Sequence, residues 1–172
     1  MKSKIPGDSI ELLDVTRHCR EAFSCGVESL DTYFRTKAKQ DRGRFAAAVF
    51  VLAEGSTVIG YYTLSSYTIH ASELPAELAR RLPRYPNLPA TLIGRLAVDG
   101  RHQKRGYGEE LLMDALKRSL ANTREVGSVA VVVEAENANA IKFYRSYGFI
   151  QFSDRPDKLF LPMQTIKEMF GE

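Results

Sequence analysis

Between Thr91 and Leu112 the chain reads TLIGRLAVDGRHQKRGYGEELL: an apolar strand, a polar turn with two glycines, and a helix start. Leu92, Ile93, Leu96, Ala97 and Val98 make the strand, and Asp99-Gly100 ends it. The loop is Gln103-Lys104-Arg105-Gly106-Tyr107-Gly108, and from Glu109 onward Leu111, Leu112, Ala115, Leu116 and Leu120 fall at helical spacing. The first turn of a helix carries backbone N–H groups without intrahelical partners, at the positive end of the helix dipole. Gly106 and Gly108 lack a Cβ, so the backbone there can turn sharply and approach an anion closely. Lys104 and Arg105 add formal charge. Such a turn suits a phosphate or pyrophosphate. A plain strand-to-helix connection has the same composition, so the loop alone leaves both readings open. No Gly-Lys-Ser/Thr closes it, and only the two-glycine half of a dinucleotide fingerprint is present.

A second stretch, Asn137 to Phe149, reads NANAIKFYRSYGF. Gln-x-x-Gly-x-Gly followed, in order, by Asn-x-x-Ala-x-x-Phe-Tyr-x-x-x-Gly-Phe resembles the GNAT superfamily of acyl-CoA-dependent N-acyltransferases, over about residues 45–163. The resemblance implies a mixed α/β fold with a mostly antiparallel central sheet flanked by helices, two central strands being splayed to admit acetyl-CoA. It implies a diphosphate cradle on Gln103, Lys104, Arg105, Gly106, Tyr107 and Gly108, largely through backbone N–H groups. It places a strand-like contact to the pantetheine amides on Leu96, Ala97 and Val98, and Asn137 and Ala140 beside the distal end of the arm. Tyr144 falls where the family keeps a tyrosine near the thioester sulfur. An ordinary phenol titrates at about 10, so at neutral pH it can give a proton to a leaving thiolate. Without the family match, Tyr144 reads as a helix aromatic packed on a sheet. No clear general base emerges: Glu134 and Glu136 are candidates, and either is equally a strand-end surface charge. An α-amine, titrating at about 8, needs a base less than a lysine at about 10.4, which favours an aminoacyl ester as acceptor.

A narrower resemblance rests on Phe23-Ser24-Cys25-Gly26 with Leu30-Asp31, on Gly60 to Ser65, on Leu82 to Pro86 with Pro89-Ala90, and on Gly94 to Asp99. Together these are similar to the GNAT toxins of bacterial type II toxin–antitoxin modules. That group implies acetylation of the α-amino group of aminoacyl-tRNA, which stops translation. It also implies a ribbon-helix-helix antitoxin that neutralises the toxin and represses the operon by binding operator DNA, and a homodimer. Lys104 stands where the group more usually has glycine. Arg80, Arg81, Arg84, Arg95, Lys37 and Lys39 are the candidates for holding tRNA; their alternative reading is a solvated face. A GNAT acting on a small-molecule or protein amine, or a non-catalytic CoA-binding regulatory module, are the alternative functions.

The elements that must position these residues follow from pattern. At 172 residues, with 44% hydrophobic and 26% charged side chains, the chain has the size and composition of one soluble domain, here a single GNAT domain over residues 1–172. The net charge of +3 is only mildly basic. Residues 8–14 read as a first strand. Ser24 or Gly26 is expected to cap a helix with Leu30, Tyr33, Phe34 and Ala38 as its apolar stripe and Arg35, Lys37 and Lys39 opposite. Residues 45–53 and 57–69 read as an antiparallel hairpin around Glu54-Gly55-Ser56. Tyr61, Tyr62 and Tyr67 could line a cleft, though at least two are expected to pack on the sheet. Pro75 starts a short helix over 76–82, and Pro83, Pro86 and Pro89 stop regular structure. Residues 128–135 read as a strand buried on both faces, residues 137–147 as a helix stopped by Gly148, residues 149–152 and 158–163 as late strands, and residues 164–170 as a terminal helix.

No apolar run spans a bilayer, and the basic start lacks an apolar core of the signal-peptide kind. Cys19 and Cys25 form no disulfide framework and a poor metal site, so they read as reduced thiols of a cytoplasmic protein that needs no metal. His18 reads as a surface histidine.

Overall fold

The computed structural model describes residues 10–172; the first two residues of the expected strand over 8–14, and the basic N-terminal start, lie outside them. The strands are β1 (Ile10–Leu12), β2 (Ala48–Glu54), β3 (Thr57–His70), β4 (Asn87–Val98), β5 (Ala130–Glu134), β6 (Ile150–Gln151) and β7 (Lys158–Pro162). The helices are α1 (Glu28–Thr36), α2 (Ala38–Gly43), α3 (Ala76–Ala79), α4 (Tyr107–Asn122), α5 (Ala138–Ser146) and α6 (Met163–Met169). The sheet runs in the order β1-β2-β3-β4-β5-β7-β6. β1/β2, β2/β3, β5/β7 and β6/β7 are antiparallel, while β4 and β5 are parallel, paired from Thr91–Ile93 to Val131–Val133. This is the mixed, mostly antiparallel, helix-flanked sheet expected from the resemblance.

The chain divides into two compact units: the described residues up to Ser65 with Gly94–Ala115, and Ser66–Ile93 with Leu116–Glu172. In the first, the β2–β3 hairpin buries Val49, Val51, Val58 and Tyr61 against Leu30, Tyr33, Phe34 and Ala38 of the helical stripe. Phe34 stacks on Tyr61 with centroids 4.4 Å apart, and Phe23 meets both rings edge-on. The Tyr61 hydroxyl donates to the Leu30 carbonyl at 2.7 Å, so this buried polar atom has its partner. In the second unit Ile69, Leu88, Val132, Phe152 and Phe160 form the core. Ala130–Val133 are wholly buried, as a strand covered on both faces requires.

Several local expectations are corrected. The N-cap of α1 is Val27, not Ser24 or Gly26, and no side chain caps it. Ser24 and Cys25 instead direct their polar groups to Asp31 and Asp99. Phe45 is outside β2: it has φ 61 and is 96% exposed. The Ala46 N–H donates to the Asp41 carbonyl at 2.8 Å, so this segment closes the end of α2 rather than opening a strand. The helix after Pro75 stops at Ala79. Pro89 does not end regular structure; it lies in β4, where its carbonyl accepts from the Val129 N–H at 2.8 Å. His18 is buried rather than on the surface: its Nδ1 accepts from the Asp14 N–H at 2.9 Å and its Nε2 lies 3.0 Å from Glu11. Of the three strand tyrosines, Tyr61 and Tyr62 are fully buried, as packing on the sheet anticipates.

Gly60 lets α4 close on this sheet. A Cβ there would stand 2.7 Å from Leu111 Cδ1 and 2.9 Å from the Ala97 carbonyl oxygen. Leu111 can shift, but the Ala97 backbone cannot without disturbing β4. Gly60→Ala is therefore expected to destabilise the fold by about 1–3 kcal/mol, measured as a lowered midpoint in urea unfolding with an unchanged slope.

Candidate active site

One candidate group of residues is the turn after β4, in the first unit. The Asp99 N–H donates to the Ile59 carbonyl at 2.8 Å, holding the strand end against β3. The Asp99 carboxylate is 1% exposed as a residue and accepts from the Ser24 N–H at 3.1 Å, the Arg101 N–H at 3.0 Å and Arg101 Nε at 2.9 Å. Burial works to raise this carboxyl, but the bonds from Arg101 and Ser24 outweigh it and the net shift is downward. Gln103 turns its side chain inward, and Nε2 donates to the carbonyls of Val98 at 2.9 Å and Cys25 at 2.8 Å. The sequence grouped Gln103 with the cradle and Asp99 with the strand end and the Gly94–Asp99 motif, without a role in holding the turn. The signal for that role was an acidic side chain two residues before a backbone N–H it can accept from, a common turn device.

Beyond Gln103 the backbone is unusual. Lys104 has φ 64 and Gly106 has φ 86, both in the left-handed region. That is the conformation for which the glycine usual at this place is suited, so Lys104 occupies it at a backbone cost. Lys104 and Arg105 are exposed. Tyr107 is buried, edge-on to His102 with centroids 6.3 Å apart, and begins α4; Gly108 follows inside the first turn. Leu111, Leu112, Ala115 and Leu116 are wholly buried and fix the helix axis. The unpaired N–H groups of this first turn, two glycines and two exposed cations make a donor set that fits a diphosphate. Leu96, Ala97 and Val98 follow the short β4/β5 ladder in sequence, outside its paired residues. Ala97 is buried, and the Val98 carbonyl is already taken by Gln103.

A second candidate group lies in the other unit and is described by itself. Asn137 is the N-cap of α5, and its Oδ1 accepts from the Ala140 N–H at 2.9 Å. Asn137 and Ala140 are thus brought together as a helix start. One further turn along, Tyr144 is 5% exposed, with Phe143 and Phe149 against its ring at 5.2 and 5.4 Å. Burial, with a smaller contribution from the Glu136 charge, pushes its phenol far above the ordinary value. The group is therefore a proton carrier at neutral pH, not a base. Gly148, at φ 93, ends the helix as expected. Glu134 is exposed at the end of β5, paired in register with Lys158.

The six candidate cations divide between the units. Lys37 and Lys39 are exposed around the α1–α2 junction. Arg95 is partly buried, its guanidinium stacked 3.6 Å over the Tyr33 ring. Tyr33 in turn donates to Asp41 at 2.9 Å, and its phenol is pushed up to about 12, chiefly by burial. Arg80, Arg81 and Arg84 are exposed after α3. Among the described residues no cluster of His, Cys, Asp and Glu could hold a metal ion, and no helix is long and apolar enough to cross a membrane.

Known proteins are similar to this chain in sequence and fold. Residues 12–149 match the acetyltransferase (GNAT) family. The chain is 33% identical to a probable toxin TacT of Sinorhizobium fredii, covering 94% of both chains. It is 32% identical to a tRNA-acetylating toxin of Mycobacterium tuberculosis, over 88% of this chain and 90% of that one. Among solved structures, a mutant of KacT superposes with a TM-score of 0.87 at 30% identity, covering 94% of this chain and 98% of that one. AtaT complexed with acetyl-methionyl-tRNAfMet gives 0.85 at 29%, with the same coverage. An AtaT mutant bound to the C-terminus of the antitoxin AtaR and acetyl-CoA gives 0.80 at 27%, covering 95% and 98%. With its family match and near full-length likeness to these proteins, the chain belongs to the acetyltransferase (GNAT) family.

Proposed function

We propose that this chain is a toxin that moves an acetyl group from acetyl-CoA to the α-amino group of aminoacyl-tRNA in the cytoplasm and so blocks translation. The observation that carries the reading is near full-length likeness to AtaT, which has been solved with acetyl-methionyl-tRNAfMet, and to a toxin named for tRNA acetylation. AtaT has also been solved with its antitoxin AtaR, and the two together on DNA. These support an antitoxin partner for this chain, with DNA reached through it; that the antitoxin is of the ribbon-helix-helix kind, that the DNA is its operator, and that the toxin is a homodimer are what the family resemblance implies. The two compact units are taken to work together as one GNAT domain.

The donor supplies an acyl carbon activated by sulfur. The turn Gln103–Gly108 would hold its diphosphate by backbone N–H groups, with Lys104 and Arg105 adding charge. The backbone of Leu96, Ala97 and Val98 would extend along the pantetheine, and Asn137 and Ala140 would flank its distal end. The acceptor amine forms the new C–N bond as the C–S bond breaks. Tyr144 gives its phenolic proton to the departing sulfur, and the proton released by the amine restores the phenol. Cys19 and Cys25 are free thiols, but neither belongs to the elements that carry this chemistry, so transfer is direct. Arg80, Arg81, Arg84, Lys37, Lys39 and Arg95 would hold the tRNA backbone. Arg95 has the weakest claim because its planar face is already covered by Tyr33.

Labelled acetyl-CoA offered with charged tRNA and with free amines tests the substrate: label on the aminoacyl group supports the reading, and label only on free amines overturns it. Tyr144→Phe should lower turnover by about 10²–10⁴-fold, with acetyl-CoA affinity by calorimetry close to the parent; full turnover would remove Tyr144 from the acid role. Because the phenol is shifted upward, its proton is still present where an ordinary tyrosine would lose it. The rate should rise as the amine deprotonates around pH 8 and then stay level through about pH 10, read in a single-turnover pH profile. Charge reversal at Arg80, Arg81 and Arg84 should raise KM for tRNA and flatten its salt dependence, leaving donor affinity unchanged; equal losses for both substrates would count against a separate RNA face.

A further inference from the structure

The segment Phe23-Ser24-Cys25-Gly26, with Leu30-Asp31, has no part in the chemistry above, yet the polar groups of the turn after β4 converge on it. The Gly100 N–H donates to the Ser24 carbonyl at 2.8 Å, and the Ser24 N–H donates to Asp99 Oδ2 at 3.1 Å. Gln103 Nε2 donates to the Cys25 carbonyl at 2.8 Å. Two consecutive residues thus engage three positions of the turn. The same segment is fixed from behind. Asp31, 6% exposed, accepts from the Cys25 N–H at 2.8 Å and lies 3.5 Å from the Ser24 hydroxyl. The Phe23 ring is buried against Phe34 and Tyr61, and Arg35 Nε donates to the Phe23 carbonyl at 3.1 Å. Gly26, at φ 91, then turns the chain toward α1.

We propose that residues 23–26 are a brace that sets the shape of the turn 103–108, and that Asp99 and Gln103 are positioning residues for the acetyl donor, acting through the loop backbone rather than by touching the ligand. The inference rests on reading that turn as the diphosphate cradle. Its physical basis is that a cradle made of backbone N–H groups binds only while those groups point the same way. Lys104 and Gly106 are both held in the left-handed region, which an unconstrained Lys seldom visits. The Gln103 amide ties the residue just before Lys104 to two carbonyls, from Val98 and Cys25. Without those ties the donor must order the loop as it binds, so the loss falls on affinity.

Three variants and two measurements decide it. Gln103→Glu places an acceptor against the two carbonyls, Gln103→Arg restores N–H donors, and Asp99→Asn removes one of the two accepting oxygens. Trypsin cleavage after Lys104 and Arg105, followed by mass spectrometry without ligand, reads loop order directly; calorimetry and steady-state kinetics read the donor. In Gln103→Glu, acetyl-CoA affinity and KM should worsen about tenfold, with kcat at saturating donor within about twofold. Cleavage of the loop should be several-fold faster while the unfolding midpoint moves little. Gln103→Arg should recover both readouts. Asp99→Asn should act in the same direction, and the double variant Asp99→Asn/Gln103→Glu should lose less affinity than the two single losses added, because both act through one loop conformation. Unchanged cleavage in Gln103→Glu and Asp99→Asn overturns the brace, as does an Arg variant no better than the Glu variant. A parent protein that binds no acetyl-CoA would overturn the donor-site reading instead, and the trypsin comparison would still decide the brace.

Discussion

The turn after β4 has to satisfy a buried carboxylate and the carbonyls at the strand end before α4 begins. Asp99 is almost wholly out of solvent and gathers four N–H donors, three from Arg101 and one from Ser24. A carboxylate so placed would be costly without those donors; with them its pKa moves down despite burial. Gln103 takes the Val98 carbonyl, so the strand end leaves fewer acceptors open. Helix packing then sets α4. Leu111, Leu112, Ala115 and Leu116 bury one face of α4, and Gly60 removes the side chain that would push the helix off β3. The helix N-terminus is therefore held by the packing of its buried face.

The second unit meets a different requirement, keeping a proton on a phenol. Four consecutive buried residues, Ala130 to Val133, make β5 a rigid strand, and Asn137 launches α5 soon after it by capping the Ala140 N–H. The cap fixes where Tyr144 falls on the helix. Phe143 and Phe149 against its ring supply the apolar surroundings that disfavour the phenolate, and Glu136 disfavours it further. Burial and a like charge act in the same direction here, so the hydroxyl keeps its proton at neutral pH.

Much of this was legible in sequence because it depends on short-range periodicity. The α4 stripe, the unbroken apolar run of β5, the β2–β3 hairpin and the Gly148 stop all appear where pattern put them. The candidate site was legible as an ordered pair of motifs, one around Gly106 and Gly108 and one around Tyr144. The errors have a common cause, which is a polar partner far along the chain or a backbone state that composition does not encode. Phe45 looked like the first residue of an apolar strand, but the Asp41 carbonyl draws the N–H groups that follow it into a helix-ending turn. Ser24 looked like a helix cap, but its N–H finds Asp99, 75 positions away. His18 looked exposed because nothing in its neighbours announces that Asp14 and Glu11 will close around it. Pro89 looked like a break, yet a strand position that uses the carbonyl and not the nitrogen tolerates proline.

Charge was the least legible feature, because a list of cations does not say which are already engaged. Arg95 and Arg84 are equivalent in composition, but Arg95 is stacked on Tyr33 and Arg84 is exposed. Lys158 is the extreme case: a buried ammonium 3.2 Å from Glu73, set 4.8 Å from the Tyr67 ring centroid and 4.7 Å from that of Phe152. A buried cation with a carboxylate and two π-faces is a structural tie. This one joins β7 to the short turn Ala71–Glu73. The Ala71 N–H also donates to the Pro86 carbonyl at 2.9 Å, closing the base of the excursion that carries Arg80, Arg81 and Arg84. The exposed arginines therefore ride on a segment pinned where it leaves and rejoins the sheet. A long, highly charged connector is thereby kept close to one place, so its charges can act together on a polyanion rather than being averaged over the motions of a free loop.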